Sequence, residues 1–199
     1  MSRVAPDVVY ALFTVFSITY GVNRLGFVRS EVLTAILVGS ACQLALIPLA
    51  GALSDRMNRR LLYGIAAVGG VVWVAVFFLI IGGGSLGLLI LGIVVGLAFH
   101  SFMYGPQAAF VTEQFDLRLR STGSSLAYTI AGVFGGAMAP IIFTLLLDKL
   151  DSWVPIFVYI VIVGVVTVVG LMLGRGPDAA EEEKYVASRL STPATESMS

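Results

Sequence analysis

The chain has 199 residues, of which 58% are hydrophobic and only 12% charged, with a mean hydropathy of +0.96. A soluble domain of this size carries about 25% charged residues, so the excess apolar surface belongs in lipid and the chain is expected to be an integral membrane protein. The formal net charge of zero gives a nucleic acid no electrostatic footprint, and a single cysteine, Cys42, excludes an internal disulfide or a cysteine-based zinc site.

A membrane helix needs about 20 apolar residues. Six stretches qualify: 7–23, 32–53, 61–81, 86–112, 122–147 and 153–174. The predicted fold is therefore all-α, with a six-helix transmembrane domain over 1–174 and a solvated tail over 175–199 that holds Gly176-Pro177, an acidic run and a Ser/Thr-rich end. Arg3 followed by an apolar run mimics a signal peptide, but no small-residue cleavage site follows, and a first membrane helix is the better reading. The fourth and fifth stretches exceed one span and are expected to tilt or bend at Pro106 and Pro140, each of which lacks a backbone donor.

The short connections set orientation. The side of the N-terminus carries nine basic residues: Arg3, Arg56, Arg59, Arg60, Arg118, Arg120, Arg175, Lys184 and Arg189. The other side carries three, Arg24, Arg29 and Lys149. The positive-inside rule then predicts that both termini are cytoplasmic. Six helices with both ends on one side divide into two triplets of opposite topology, an arrangement found in transporters, although the triplets share no strong letter-level match.

Several groups could carry chemistry. Gly51-x-x-x-Asp55-Arg56-x-Asn58-Arg59-Arg60 makes a tight cytoplasmic turn with a carboxylate at a helix end and three arginines; the plain reading is an anchor to anionic lipid. Asparagine, here Asn58, tolerates the left-handed backbone better than most residues. His100, the sole histidine, lies about 14 residues into the fourth helix, or roughly 21 Å at 1.5 Å per residue. An intramembrane ionisable group is a functional hypothesis by default, and histidine could sense protons or donate to an anion; the bland alternative is a neutral imidazole bonded to a neighbouring helix. No carboxylate falls mid-membrane, since Asp7, Asp55, Glu113 and Asp148 sit near helix ends. Other polar or aromatic groups in the apolar runs are Tyr10, Tyr20, Asn23, Gln43, Tyr104, Gln107, Tyr128 and Tyr159. Of these, Tyr104, Gln107 and Tyr128, near the bends, are candidates to face a substrate with His100, whereas Tyr20 and Tyr159 fit an interfacial belt.

Gly92/Gly96, Gly132/Gly136 and Gly170/Gly174 are spaced for close helix approach, and Gly132, Gly135 and Gly136 beside Pro140 suggest a sliding or bending surface. An intramembrane protease would need a serine and a histidine facing each other; Ser101 adjoins His100 and projects about 100° away, and Ser85 lies in a turn. No metal-ligand spacing or phosphate loop occurs, so no enzyme activity, cofactor or metal is expected.

The stretch His100 to Leu147 also carries a family likeness. His100, Met103-Tyr104-Gly105-Pro106-Gln107, Ala108-Ala109-Phe110, Glu113, the paired Arg118 and Arg120, and Thr122-Gly123-x-Ser125-Leu126-x-Tyr128 resemble the C-terminal half of the metabolite:proton symporters, a branch of the major facilitator superfamily whose members carry betaine and proline, 2-oxoglutarate, citrate or shikimate. Asp116 stands where that family usually has proline, and Thr129 where a polar amide is common. The loop from Gly51 to Arg60 resembles the facilitator motif G-x-x-x-D-R-x-G-R-R, with Asn58 in place of the second glycine.

The resemblance implies one facilitator half-bundle and proton-driven transport of a small polar or anionic metabolite by alternating access across the inner membrane. It implies that Asp55 and the arginines, with Glu113, Arg118 and Arg120, form a cytoplasmic gate. It also implies that the coupling acid and the rest of the cavity come from an N-terminal half or a second copy of this chain. A transport-inactive carrier remnant, or a membrane assembly partner, is the alternative expectation.

Overall fold

The computed structural model describes residues 3–112 and 120–173, with the side chain of Arg120 outside that set. Expectations for Glu113, Arg118, the Arg120 side chain, Gly174 and the tail 175–199 lie outside the described residues. Among the described residues there are six helices long and apolar enough to cross a membrane: α1 Val4–Asn23, α2 Arg29–Arg56, α3 Arg59–Ile81, α4 Leu86–Thr112, α5 Ser121–Leu150 and α6 Val154–Leu173. Helices suit lipid because they satisfy every backbone N–H and C=O within the segment.

The helix ends are set by local chemistry. α1 begins earlier than the apolar run because Arg3 and Asp7 neutralise each other at 3.2 Å across one turn, and Pro6 sits in the first turn, where a missing N–H costs nothing. The Glu31 carboxylate accepts from the Val28 N–H at 2.9 Å and starts α2. Gly84, at φ +68°, turns the chain from α3 into α4 in a left-handed conformation that a side chain would strain. Asp151 ends α5 at φ 49° and pairs its carboxylate with Arg24, tying the α1–α2 and α5–α6 connections together.

The core is built of rings seated on glycines. α4 runs through the middle, with α2 and α3 packed along it. Gly96 of α4 receives the Phe13 ring of α1, and Gly92 receives the Phe77 ring of α3; the two rings meet edge to face at 5.1 Å. Gly69 of α3 lies under Phe99, and Trp73 donates through Nε1 to the Gly92 carbonyl at 2.9 Å. Gly92 and Gly96 thus act as ring seats rather than as a backbone-to-backbone seam. That seam exists elsewhere, at Gly105, whose backbone lies against Ala50 and Gly51 of α2. Close packing of this kind carries association in lipid, where no hydrophobic force drives helix onto helix.

Two π-helical turns interrupt the bundle, Leu12–Phe16 in α1 and Gly132–Ala137 in α5. Gly135 in the second turn lets α1 approach closely: a Cβ there would lie 2.8 Å from the Asp7 Cβ and 3.1 Å from the Val4 carbonyl oxygen. Gly132 and Gly136 face open space instead, so of the three expected surface glycines only Gly135 is a packing contact within the bundle. α4 is α-helical on both sides of Pro106, whereas Pro140 follows the π turn of α5 by three residues. α6 closes the bundle through Thr167, whose Oγ1 accepts from the Ala5 N–H at 3.3 Å.

Candidate functional site

His100 lies near the middle of α4 and is buried. Its Nδ1 is 2.8 Å from Nε2 of Gln43, a buried residue in the middle of α2. The same Gln43 nitrogen donates to the Leu97 carbonyl at 3.2 Å and lies 3.4 Å from Ser101 Oγ, and Ser101 Oγ in turn donates to Leu97 O at 2.9 Å. The imidazole lies between two tyrosine rings, Tyr10 of α1 at 5.0 Å and Tyr104 of α4 at 5.4 Å between centroids. These tyrosines are 42% and 41% exposed, so they form an open aromatic lip over a closed amide–imidazole pair. Three helices therefore converge on one polar point deep in an apolar bundle. Lipid could not satisfy such groups.

A second polar group lies toward the end that holds the start of α1. The Arg3 guanidinium stacks on the Tyr128 ring of α5, 3.6 Å from its centroid, while pairing with Asp7. The buried Tyr63 of α3 is within electrostatic reach of Asp7, Arg3 and Tyr128, and Tyr128 is within reach of Tyr104. Gln107 lies one to two turns beyond His100 and Tyr104 on α4. It is 1% exposed, and neither its Oε1 nor its Nε2 has a hydrogen-bond partner among the described residues. An amide left unpaired in an apolar interior costs about 1–3 kcal/mol.

The α2–α3 loop is held by two devices. Asp55 Oδ1 takes a 2.9 Å bond from Arg59 Nη2, and both side chains are open enough that the pair contributes at most about 1 kcal/mol. Asn58 has an extended backbone, φ −66° and ψ 111°, and its Oδ1 caps α3 by accepting from Arg60 N at 3.0 Å and Leu61 N at 3.4 Å. The extended conformation prevails because it alone aims the side chain at the first free amides of the helix. Asn58→Ala is therefore expected to cost about 1 kcal/mol and Asn58→Gly only a few tenths, read from thermal unfolding in detergent; equal losses would show that the cap is not what Asn58 contributes. The Arg60 guanidinium lies over the Phe110 ring at 5.8 Å, and Arg56 ends α2.

Of the predicted pathway residues, the structure brings His100 and Tyr104 into contact, places Tyr128 within reach of Tyr104, and buries Gln107 beside them on α4. Sequence reasoning picked out Gln43 and Tyr10 only as polar groups in apolar runs, and gave Arg3 and Asp7 no site role. Gln43 is 57 residues from His100, so no local spacing relates them. Among the described residues no cluster of three or more His, Cys, Asp or Glu could hold a metal ion.

Comparison with known proteins gives a consistent set. A family model described as Major Facilitator Superfamily matches residues 7–196. The inner membrane metabolite transport protein YhjE of Escherichia coli is 30% identical over 141 residues, covering 67% of this chain and 32% of the relative. A citrate-proton symporter of Klebsiella pneumoniae is 30% identical over 142 residues, covering 70% and 32%. A shikimate transporter of Escherichia coli is 24% identical over 151 residues, covering 75% and 34%. The chain spans about a third of the length of the curated relatives it matches. No solved structure matches.

Proposed function

The chain belongs to the major facilitator superfamily, and on that premise we propose that it forms one six-helix bundle of a secondary transporter for a small anionic or polar metabolite, such as a carboxylate or a betaine- or proline-like solute, moved together with protons by alternating access. The observation that carries this reading is the convergence of Gln43, His100, Tyr10 and Tyr104 at mid-depth, open on the tyrosine side. A buried donor-rich point of this kind suits an oxyanion, and relatives named for citrate and shikimate fit such a cargo.

In this reading His100, Tyr104, Gln107 and Tyr128 line the path of substrate and proton. Both termini are cytoplasmic in the inner membrane, by the nine-to-three bias of basic residues. Residues 1–174 form the transmembrane unit and 175–199 a cytoplasmic tail. The loop from Gly51 to Arg60, with Asp55, Arg56, Arg59 and Arg60, closes the cytoplasmic side together with Glu113, Arg118 and Arg120. Its Asp55–Arg59 bond is weak enough to break and re-form within a transport cycle. The facing wall of the cavity comes from a second bundle, either an N-terminal half or another copy of this chain.

Uptake into proteoliposomes under an imposed pH gradient tests the reading. Saturable uptake of a labelled di- or tricarboxylate is expected, with His100→Ala reducing it to the level of empty liposomes. Correctly inserted protein that takes up no more than empty liposomes would instead favour an inactive remnant or an assembly partner.

A further inference from the structure

We propose that Gln43 is a positioning residue that fixes which nitrogen of His100 carries the proton, so that the imidazole offers Nε2–H as a donor to an oxyanion on the pathway. The inference rests on reading His100 as a pathway group, but its geometric basis is independent of transport.

An amide's nitrogen and oxygen are told apart by their partners. The Gln43 atom that faces His100 also faces the Leu97 carbonyl at 3.2 Å, and a carbonyl only accepts. That atom is therefore the amide nitrogen. Its two protons serve three acceptors: His100 Nδ1 at 2.8 Å takes one, while Leu97 O and the more distant Ser101 Oγ share the other. Ser101 spends its own proton on Leu97 O, so its lone pairs are what it turns to Gln43. Nδ1 must then be the unprotonated nitrogen, and the ring proton sits on Nε2, which has no partner among the described residues.

The opposite tautomer would place Nδ1–H against N–H. Relieving that clash would require the Gln43 amide to reverse and set its oxygen against the Leu97 carbonyl, acceptor against acceptor. An imidazolium meets the same obstacle, because both of its nitrogens donate. The titratable groups that face the ring are Tyr10 from α1 and Tyr104 from α4; α2 presents Gln43, and no charged side chain is paired with the ring among the described residues. Around Phe99, Met103 and Gly92 of α4, α3 presents Gly69, Gly70 and Trp73, none of which carries charge, while its titratable Tyr63 and charged Arg60 meet α4 farther along, at Phe110. The Tyr128 ring of α5 is stacked under the Arg3 guanidinium. No neighbour competes with Gln43 for Nδ1.

These 199 residues hold a single histidine, so selective ¹⁵N-histidine labelling of this chain in nanodiscs reports this site alone. The wild type is expected to show one neutral tautomer at pH 7, with a pyridine-type Nδ1 resonance and a pyrrole-type Nε2 resonance. Gln43→Leu is expected to release the preference and give averaged or doubled signals, and Gln43→Asn, one methylene short, is expected to weaken it in the same direction. A wild-type spectrum with Nδ1 protonated would overturn the assignment without any variant having to fold, as would a Gln43→Leu spectrum unchanged from the wild type. If the tautomer is as expected and shifts in Gln43→Leu while uptake is untouched, Gln43 sets the tautomer and it is the pathway role of His100 that fails.

Discussion

Gly105→Ala is expected to destabilise the bundle by about 1–3 kcal/mol, the usual cost of overpacking a close contact. A Cβ at Gly105 would lie 2.8 Å from both the Ala50 Cβ and the Gly51 nitrogen, and 3.0 Å from the Ala50 carbonyl carbon. Two of these three atoms are backbone, so no rotamer change relieves the overlap and α2 must move away from α4. The Gln43–His100 bond joins the same two helices less than two turns away, so the displacement should also loosen the polar point. Gly51→Ala supplies the control. Its Cβ would meet nothing within 4 Å, and replacing a helical glycine by alanine favours the helix by about 1 kcal/mol. Thermal unfolding in one detergent should therefore move the two variants in opposite directions. Equal shifts would mean that the α2–α4 seam is not as tight as its glycine implies.

Phe13→Ala should be as costly, at about 3 kcal/mol or more, because it empties the seat over Gly96 and removes the edge-to-face partner of Phe77. Phe13 is fully buried, so the cavity cannot be filled by lipid without opening α1 from α4. The size-swapped double variant Phe13→Ala/Gly96→Leu should recover part of the loss. A double-mutant cycle is expected to give a favourable coupling of about 1 kcal/mol, within the range for residues in contact. Strict additivity would show that the ring does not rest on Gly96 in the membrane.

The six helices were legible in the sequence because length and unbroken apolarity suffice to mark a membrane span. Tyr104 was marked in the sequence only by its place near the Pro106 bend; that it lies four residues from His100, on the same helix face, is what lets the two rings meet. What could not be read was which helices meet. Gln43 joins His100 across 57 residues of chain, and Arg3 stacks on Tyr128 across 125, separations that no periodicity encodes. The π turns at Leu12–Phe16 and Gly132–Ala137 leave no letter signature either; the only hint was the glycine cluster before Pro140, and there Gly135 alone touches a neighbouring helix. Asn58 illustrates a different ambiguity. A tolerance for the left-handed backbone and a capping side chain both make asparagine acceptable in a loop, and only the dihedral angles distinguish them.

The central claim is that the tyrosine lip over His100 faces an aqueous substrate path rather than lipid. With Cys42 replaced by alanine, a single cysteine at Tyr104 can be challenged with a membrane-impermeant thiol reagent and compared with one at Val72, near the middle of α3. By exposure alone Val72, at 58%, should react faster than Tyr104, at 41%. The account predicts the reverse, because bilayer around α3 excludes the reagent while water reaches the lip, and it predicts that an anionic substrate slows labelling at position 104. A cysteine at 104 that stays as unreactive as one at 72, with or without substrate, would contradict it.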